Sequence, residues 1–138
     1  MPRLMSVAFT EDAVRERRKT VTRRKGWWLD KNGRRILTPG DQLTLCRKVM
    51  GRKPGEPLIR ICDVEVVTVC RQPLCAVAHP GELTKEGFPE WDDPTDPRSH
   101  LQFIERYFTP QNLAPDDEVT RIEWRYLSTP LDPHPGPQ

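Results

Sequence analysis

The segment LIRICDVEVVTVCR, Leu58–Arg71, constrains the fold of this chain more than any other. Cys62, Val64, Val66, Thr68 and Cys70 recur at every second position, with Asp63 and Glu65 between them. Successive side chains of a strand point to opposite faces, so this spacing predicts one long strand with an apolar face and a polar face. Further strand patterns lie at RLMSVAF (Arg3–Phe9), TVTRR (Thr20–Arg24) and QLTLCRKV (Gln42–Val49). The last, EVTRIEWRYL (Glu118–Leu127), sets Ile122, Trp124 and Tyr126 against Arg121, Glu123 and Arg125. Asn-Gly in KNGRR, TPGD and GRKPGEP supply the turns and loops between strands.

Short helices are expected between these strands. TEDAVRERRK (Thr10–Lys19) has an N-cap threonine, acids in its first turn and bases at its end, which suits the helix dipole. GELTKEGF (Gly81–Phe88) reads as a helical turn stopped by Gly87, and HLQFIERYF (His100–Phe108) as a helix with Leu101, Ile104 and Phe108 on one stripe. PEWDDPTDPRS is too rich in Pro and Asp for regular structure. These pieces predict an α+β fold, a small barrel of five or six mixed strands with short helices around it. Closing such a sheet removes most exposed edges. The chain has the length of one domain, expected over residues 1–127. Residues 128–138, STPLDPHPGPQ, hold four prolines in eleven positions and are expected to form a flexible tail.

The net charge of +2 conceals an asymmetry. Residues 1–60 hold sixteen Lys or Arg against six Asp or Glu, a net +10; residues 61–138 hold six against fourteen, a net −8. Either the basic half meets a polyanion or the two halves fold together and neutralise one another. The densest basic run is RERRKTVTRRKGWW, Arg15–Trp28, with five Arg and two Lys against Glu16 alone. Lys19 and Arg24 are its best candidates for holding phosphate or a base carbonyl. Trp27 or Trp28 would supply a stacking platform. The plain alternative is a solvated basic strand.

The four cysteines, Cys46, Cys62, Cys70 and Cys75, lack the spacing of a zinc knuckle or redox motif, and the three histidines form no ligand pattern. No metal or other cofactor is therefore expected. No apolar run approaches the length of a membrane span and no signal-peptide core is seen, so a reducing, cytoplasmic setting is expected.

RRKTVTRR, TPGDQLTL, TKEGF and VTRIEWRYL, in that order, resemble the ASCH domain of the PUA-like superfamily. The resemblance covers roughly Met5–Leu127 and departs at Arg17, where the family signature has glycine. An arginine there is expected to disturb the turn before Lys19. The resemblance implies a cleft beside the barrel that takes RNA or nucleotides, with Lys19 and Arg24 on the matched signature; the expected binding residues are Lys19, Thr20, Arg23, Arg24, Trp27 and Trp28. RNA or a nucleotide is the expected partner, with DNA as the other polyanion. A bacterial branch with a similar segment hydrolyses acetylcytidine, and its chemistry would fall on Lys19, Thr22 and Glu86. Lys19 and Thr22 stand three apart, so they converge only if Lys19 belongs to the turn before the strand. Binding is the preferred reading. The alternatives are a metal-independent hydrolase acting on acylated cytidine or on RNA, and a basic protein-interaction domain.

Overall fold

The computed structural model describes residues 2–93, 95–96 and 98–127; the expected tail, 128–138, lies outside them. The fold is α+β, a five-stranded mixed sheet curled into a half-barrel with short helices around it, as expected. The strands are β1 (Arg3–Ser6), β2 (Val21–Arg24), β3 (Gln42–Cys46), β4 (Arg60–Pro73) and β5 (Glu118–Tyr126), in the order β1-β3-β4-β5-β2. β1 runs parallel to β3, and the remaining pairs are antiparallel. The helices are α1 (Glu11–Arg15), α2 (Glu82–Lys85) and α3 (Ser99–Tyr107).

β1 and β2 are the two edges of the sheet. A side chain spans the gap between them: Arg24 Nη2 donates to the Ser6 carbonyl at 2.5 Å. α1 links the same two strands and buries Val14 in the barrel core with Met5, Leu43, Leu45, Val64, Ile122 and Trp124. A second core lies in the helical region, where Leu83, Phe88, Phe103, Ile104 and Phe108 pack with Leu74, Val77 and Val119.

Two facing assignments differ from the sequence pattern. Val66 pairs with Trp124 and Thr68 with Glu123, so Val67 is an extra residue in β4. Such a bulge shifts the alternation by one position. Cys62, Val64 and Val66 face the core as expected, but beyond the bulge Thr68 is exposed and Val69 packs inward. On α3, Phe103 and Ile104 are buried with Phe108 just after the helix, while Leu101 is 45% exposed. Phe103 and Tyr107 pack against Phe88 and turn the buried stripe away from Leu101, because the aromatic pair covers more area than one leucine.

The turn after α1 forms despite its missing glycine. Arg18 N–H donates to the Ala13 carbonyl at 2.7 Å and Arg17 N–H to the Val14 carbonyl at 2.9 Å, the paired bonds of a Schellman cap. Arg17 itself takes the left-handed conformation, φ 60°, at an intrinsic cost of roughly 1–2 kcal/mol. Its guanidinium lies over the Tyr126 ring, 5.6 Å from the centroid, which offsets part of that cost.

Gly87, after α2, is the glycine the packing requires. Its φ is +98°, and an added Cβ would stand 3.2 Å from Ala13 Cβ and from Thr10 Cγ2. Gly87→Ala is expected to cost about 1–3 kcal/mol, from left-handed strain and from the crowding against α1. A thermal melt would show a Tm several degrees lower; an unchanged Tm would contradict this account of the α1–α2 contact.

Candidate functional site

A cleft of about 610 Å³ touches both cores, a size typical of small-molecule sites. Its polar floor is Lys19, Thr22, Arg23 and Arg24 from the turn before β2 and from β2 itself, with Glu86 from the end of α2. Its apolar wall is built chiefly from Phe9, Phe88, Phe103, Tyr107 and Phe108.

The cap of α1 explains how Lys19 and Thr22 come to line one cleft. Lys19 N–H still donates to the Ala13 carbonyl, at 3.2 Å, so Lys19 belongs to the turn and not to the strand. Trp124 Nε1, at 3.1 Å, and the Tyr126 hydroxyl both donate to the Lys19 carbonyl and fix that turn. Thr20 stands outside the cleft lining. Its N–H donates to the Lys85 carbonyl at 2.8 Å, and its carbonyl accepts from the Trp124 N–H at 2.9 Å, joining β5 to α2.

Most of the positive charge here is internally matched. The Arg23 side chain has no exposed surface. It donates to Glu86 Oε2 at 3.0 Å, to Gln72 Oε1 at 2.9 Å and to Glu82. Arg121 donates to both oxygens of Glu82, at 2.8 and 3.2 Å. Lys19 Nζ donates to the Glu86 carbonyl at 2.6 Å and lies 3.6 Å from Glu86 Oε1. Arg24 differs: its partners are the Thr22 hydroxyl, 3.1 Å away, and the Ser6 carbonyl. Among the described residues no carboxylate forms an ion pair with Arg24, although the Glu86 charge acts on it from a distance.

Burial holds the Lys19 ammonium down to about 8, against the opposing pull of the Glu86 carboxylate and with help from Arg24. For Glu82, burial pushes the carboxyl upward, but hydrogen bonds from Arg121 and Arg23 outweigh it and lower the group to about 2. Burial also lowers Arg24, although a guanidinium keeps its proton at any working pH.

The remaining sequence candidates fall elsewhere. Trp27 packs against the barrel core with φ 68°, and Trp28 lies under the Arg35 guanidinium, 3.6 Å from its ring centroid. Neither lines the cleft. The tight turn after β2 carries both indoles past it. Arg15 and Arg18 are paired locally with Glu11 and Glu16, while Lys25 donates to the Gln111 carbonyl at 3.2 Å. Phe9, Tyr107 and Arg106 on the cleft, and Glu82 behind it, are not expected from the sequence pattern. A signal for Glu82 did exist: it stands four residues before Glu86, so one helix turn puts both acids on one face. Among the described residues, no cluster of His, Cys, Asp or Glu is placed to hold a metal ion, and no helix is long and apolar enough to cross a membrane.

No protein-family model and no curated protein matches the sequence. Solved structures do. The crystal structure of the ASCH domain from Lactobacillus crispatus JV V101 aligns at TM-score 0.48 and 14% identity, covering 86% of this chain and 70% of that one. Protein EF3133 from Enterococcus faecalis V583, described by the family model DUF984, aligns at TM-score 0.59 and 14% identity, covering 92% of this chain and 77% of that one. The fold is shared with protein EF3133. Arg17, at the position where the resemblance to ASCH domains leads one to expect glycine, keeps the turn.

Two measurements test the charge arrangement. Arg23→Leu leaves Glu82 and Glu86 buried with one fewer cation, and is expected to cost about 3–5 kcal/mol in denaturant unfolding. A cost below about 1 kcal/mol, the scale of an exposed ion pair, would contradict the burial of this pair. Lys19 has a distinct signature. Between its folded value of about 8 and its ordinary value of 10.5, the unfolded chain binds more protons, so this residue makes stability rise with pH across that window. The stability of the parent minus that of Lys19→Met should climb from pH 8 to 10.5; a flat difference would mean that Lys19 is not desolvated.

Proposed function

We propose that the cleft binds the base of a nucleotide, free, modified or within a nucleic acid, with RNA the preferred source and DNA the other. The observation that carries this reading is Phe9. It is 85% exposed in the turn after β1, edge-on to Tyr107 with ring centroids 5.9 Å apart, and it lines the cleft above the polar floor. A phenylalanine so exposed adds little to either core. Beside a floor that offers both donors and acceptors, it suits a flat heteroaromatic ring that stacks on one face and hydrogen-bonds at its edge. Arg24 would donate to a base carbonyl, Glu86 would accept from an exocyclic amine, and Arg106 at the rim would meet a phosphate. The resemblance of the sequence motifs to ASCH domains points the same way.

One observation favours a hydrolase as the second reading. Lys19, with its lowered proton affinity, shares the cleft with Thr22 and Glu86. For Thr22 to attack the acyl carbon of an acylated cytidine, neutral Lys19 would have to take the hydroxyl proton as the carbon–oxygen bond formed and return it to the cytidine amine as the carbon–nitrogen bond broke, leaving an acyl-threonine for water to hydrolyse. A ribonuclease would need the same base for the ribose hydroxyl. The hydrogen bonds favour binding instead, because Lys19 Nζ is directed to the Glu86 carbonyl and the Thr22 oxygen accepts from Arg24.

Binding of a nucleoside monophosphate, followed by calorimetry, should weaken with Phe9→Ala by about 1–3 kcal/mol, the scale of one stacked base. Thr22→Val should cost only about 0.5–1.5 kcal/mol. Release of acetate from acetylcytidine should stay at background. Robust turnover abolished by Thr22→Val with binding intact would overturn this reading in favour of the hydrolase.

A further inference from the structure

The matched charges in the cleft leave the basic excess of the first half only partly accounted for. Much of the rest lies in the loop between β3 and β4. Residues 47–60, the loop with the first residue of β4, carry Arg47, Lys48, Arg52, Lys53 and Arg60 against one acid, Glu56. Arg52, Lys53 and Arg60 are exposed and form no ion pair among the described residues. Met50, between Lys48 and Arg52, is 87% exposed. The loop is nonetheless well built. Arg47 N–H donates to the Ile59 carbonyl at 3.0 Å and closes its base, Arg52 Nε donates to the Val49 carbonyl at 3.0 Å, and Glu56 accepts from Lys53 N–H at 2.9 Å.

The root of this loop stands on the rim of the cleft. The Arg47 carbonyl accepts from the Ser6 hydroxyl at 3.3 Å, the Cys46 carbonyl accepts from Val7 N–H at 2.8 Å, and Ser6 and Val7 both line the cleft. A second groove of about 580 Å³ shares Ala8, Phe9 and Thr10 with the cleft and runs to Arg18 and Arg47. Acids also border this groove: Glu11, occupied by Arg15 and Arg47, and the exposed Asp12 and Glu90. The groove thus runs from the Phe9 lip to Arg47, at the root of the loop that carries the uncompensated charge.

We propose that the ligand is a single-stranded nucleic acid, with one base in the cleft and its flanking backbone crossing the Phe9 lip to the loop, where Arg52 and Lys53 take phosphates. This rests on the reading of the cleft as a base site. Lone cations on a hydrogen-bonded loop, with an apolar Met50 among them, suit a flexible backbone carrying unstacked bases.

The test compares the parent with the double variant Arg52→Ser, Lys53→Ser, whose fold is checked by its melt. A charge-reversed pair, Arg52→Glu, Lys53→Glu, serves as a second variant. The probes are a labelled single-stranded RNA of about ten nucleotides, a nucleoside monophosphate, and vesicles rich in phosphatidylserine. The parent should bind the RNA well above the mononucleotide. The serine variant should lose roughly tenfold or more in RNA affinity, and its logarithmic salt slope should fall by about 1.4, the effect of two phosphate contacts on a single strand. Mononucleotide binding should not change. Equal RNA affinity and slope in parent and variants would overturn the loop's role while leaving the cleft reading intact. Vesicle binding through the loop without RNA binding would overturn the nucleic-acid assignment. RNA binding lost with the loop but indifferent to Phe9→Ala would overturn the path through the cleft. A parent that bound neither the RNA nor the mononucleotide would overturn both readings.

Discussion

Arg23 is a guanidinium with no exposed surface, held between the carboxylates of Glu82 and Glu86. A charge so placed is stable only if its partners are fixed, because desolvation costs several kcal/mol per ion before any attraction is regained. The consequences spread outward. β2 is tied to α2, and through Arg121 so is β5. Glu86 is brought to the cleft floor, where its backbone carbonyl receives the Lys19 ammonium. α2 must then end against α1, at a point where a side chain on residue 87 would strike Ala13 and Thr10. The helical core, the barrel core and the cleft that touches both are arranged around this one set of charges.

The charge asymmetry of the sequence has two outcomes in the structure. Lys19 and Arg23 from the basic half meet Glu82 and Glu86 from the acidic half, so part of the imbalance is neutralised by folding. The loop between β3 and β4 keeps its excess on the surface. Arg24 belongs to neither group. It holds the two sheet edges together through the Ser6 carbonyl and carries a charge without a carboxylate partner into the cleft. The cleft thus has matched charges at its base and a guanidinium without a carboxylate ion pair, among the described residues, beside aromatic walls.

The strands were legible because alternation is a local signal, and Ile122, Trp124 and Tyr126 face inward as their spacing requires. The bulge at Val67 was not, since it depends on how β4 meets β5 and not on the composition of either. The helix before Lys19 starts after Thr10 as expected, although the Thr10 side chain makes no capping hydrogen bond, and it ends earlier than its composition suggests. The Schellman cap stops it early through a residue, Arg17, that seldom takes a left-handed conformation. Lys19, Thr22, Arg24 and Glu86 were named from the sequence and line one cleft. Phe9 was hidden in a strand pattern that the chain abandons at Ser6, and Tyr107 in a helix whose stripe was drawn through Leu101. Trp27 and Trp28 were the obvious aromatics, but the turn after β2 directs one to the barrel and the other beneath Arg35.

In the proposed site a base stacks at Phe9 and Tyr107 over the floor formed by Lys19, Arg24 and Glu86. The most direct test is an NMR titration of the parent protein with a nucleoside monophosphate, following the aromatic ring protons and the Lys19 Nζ resonance. The account predicts progressive shifts at Phe9, Tyr107 and Lys19, with the indole signals of Trp27 and Trp28 unmoved. Shifts confined to the two indoles, with Phe9 and Lys19 silent, would contradict it.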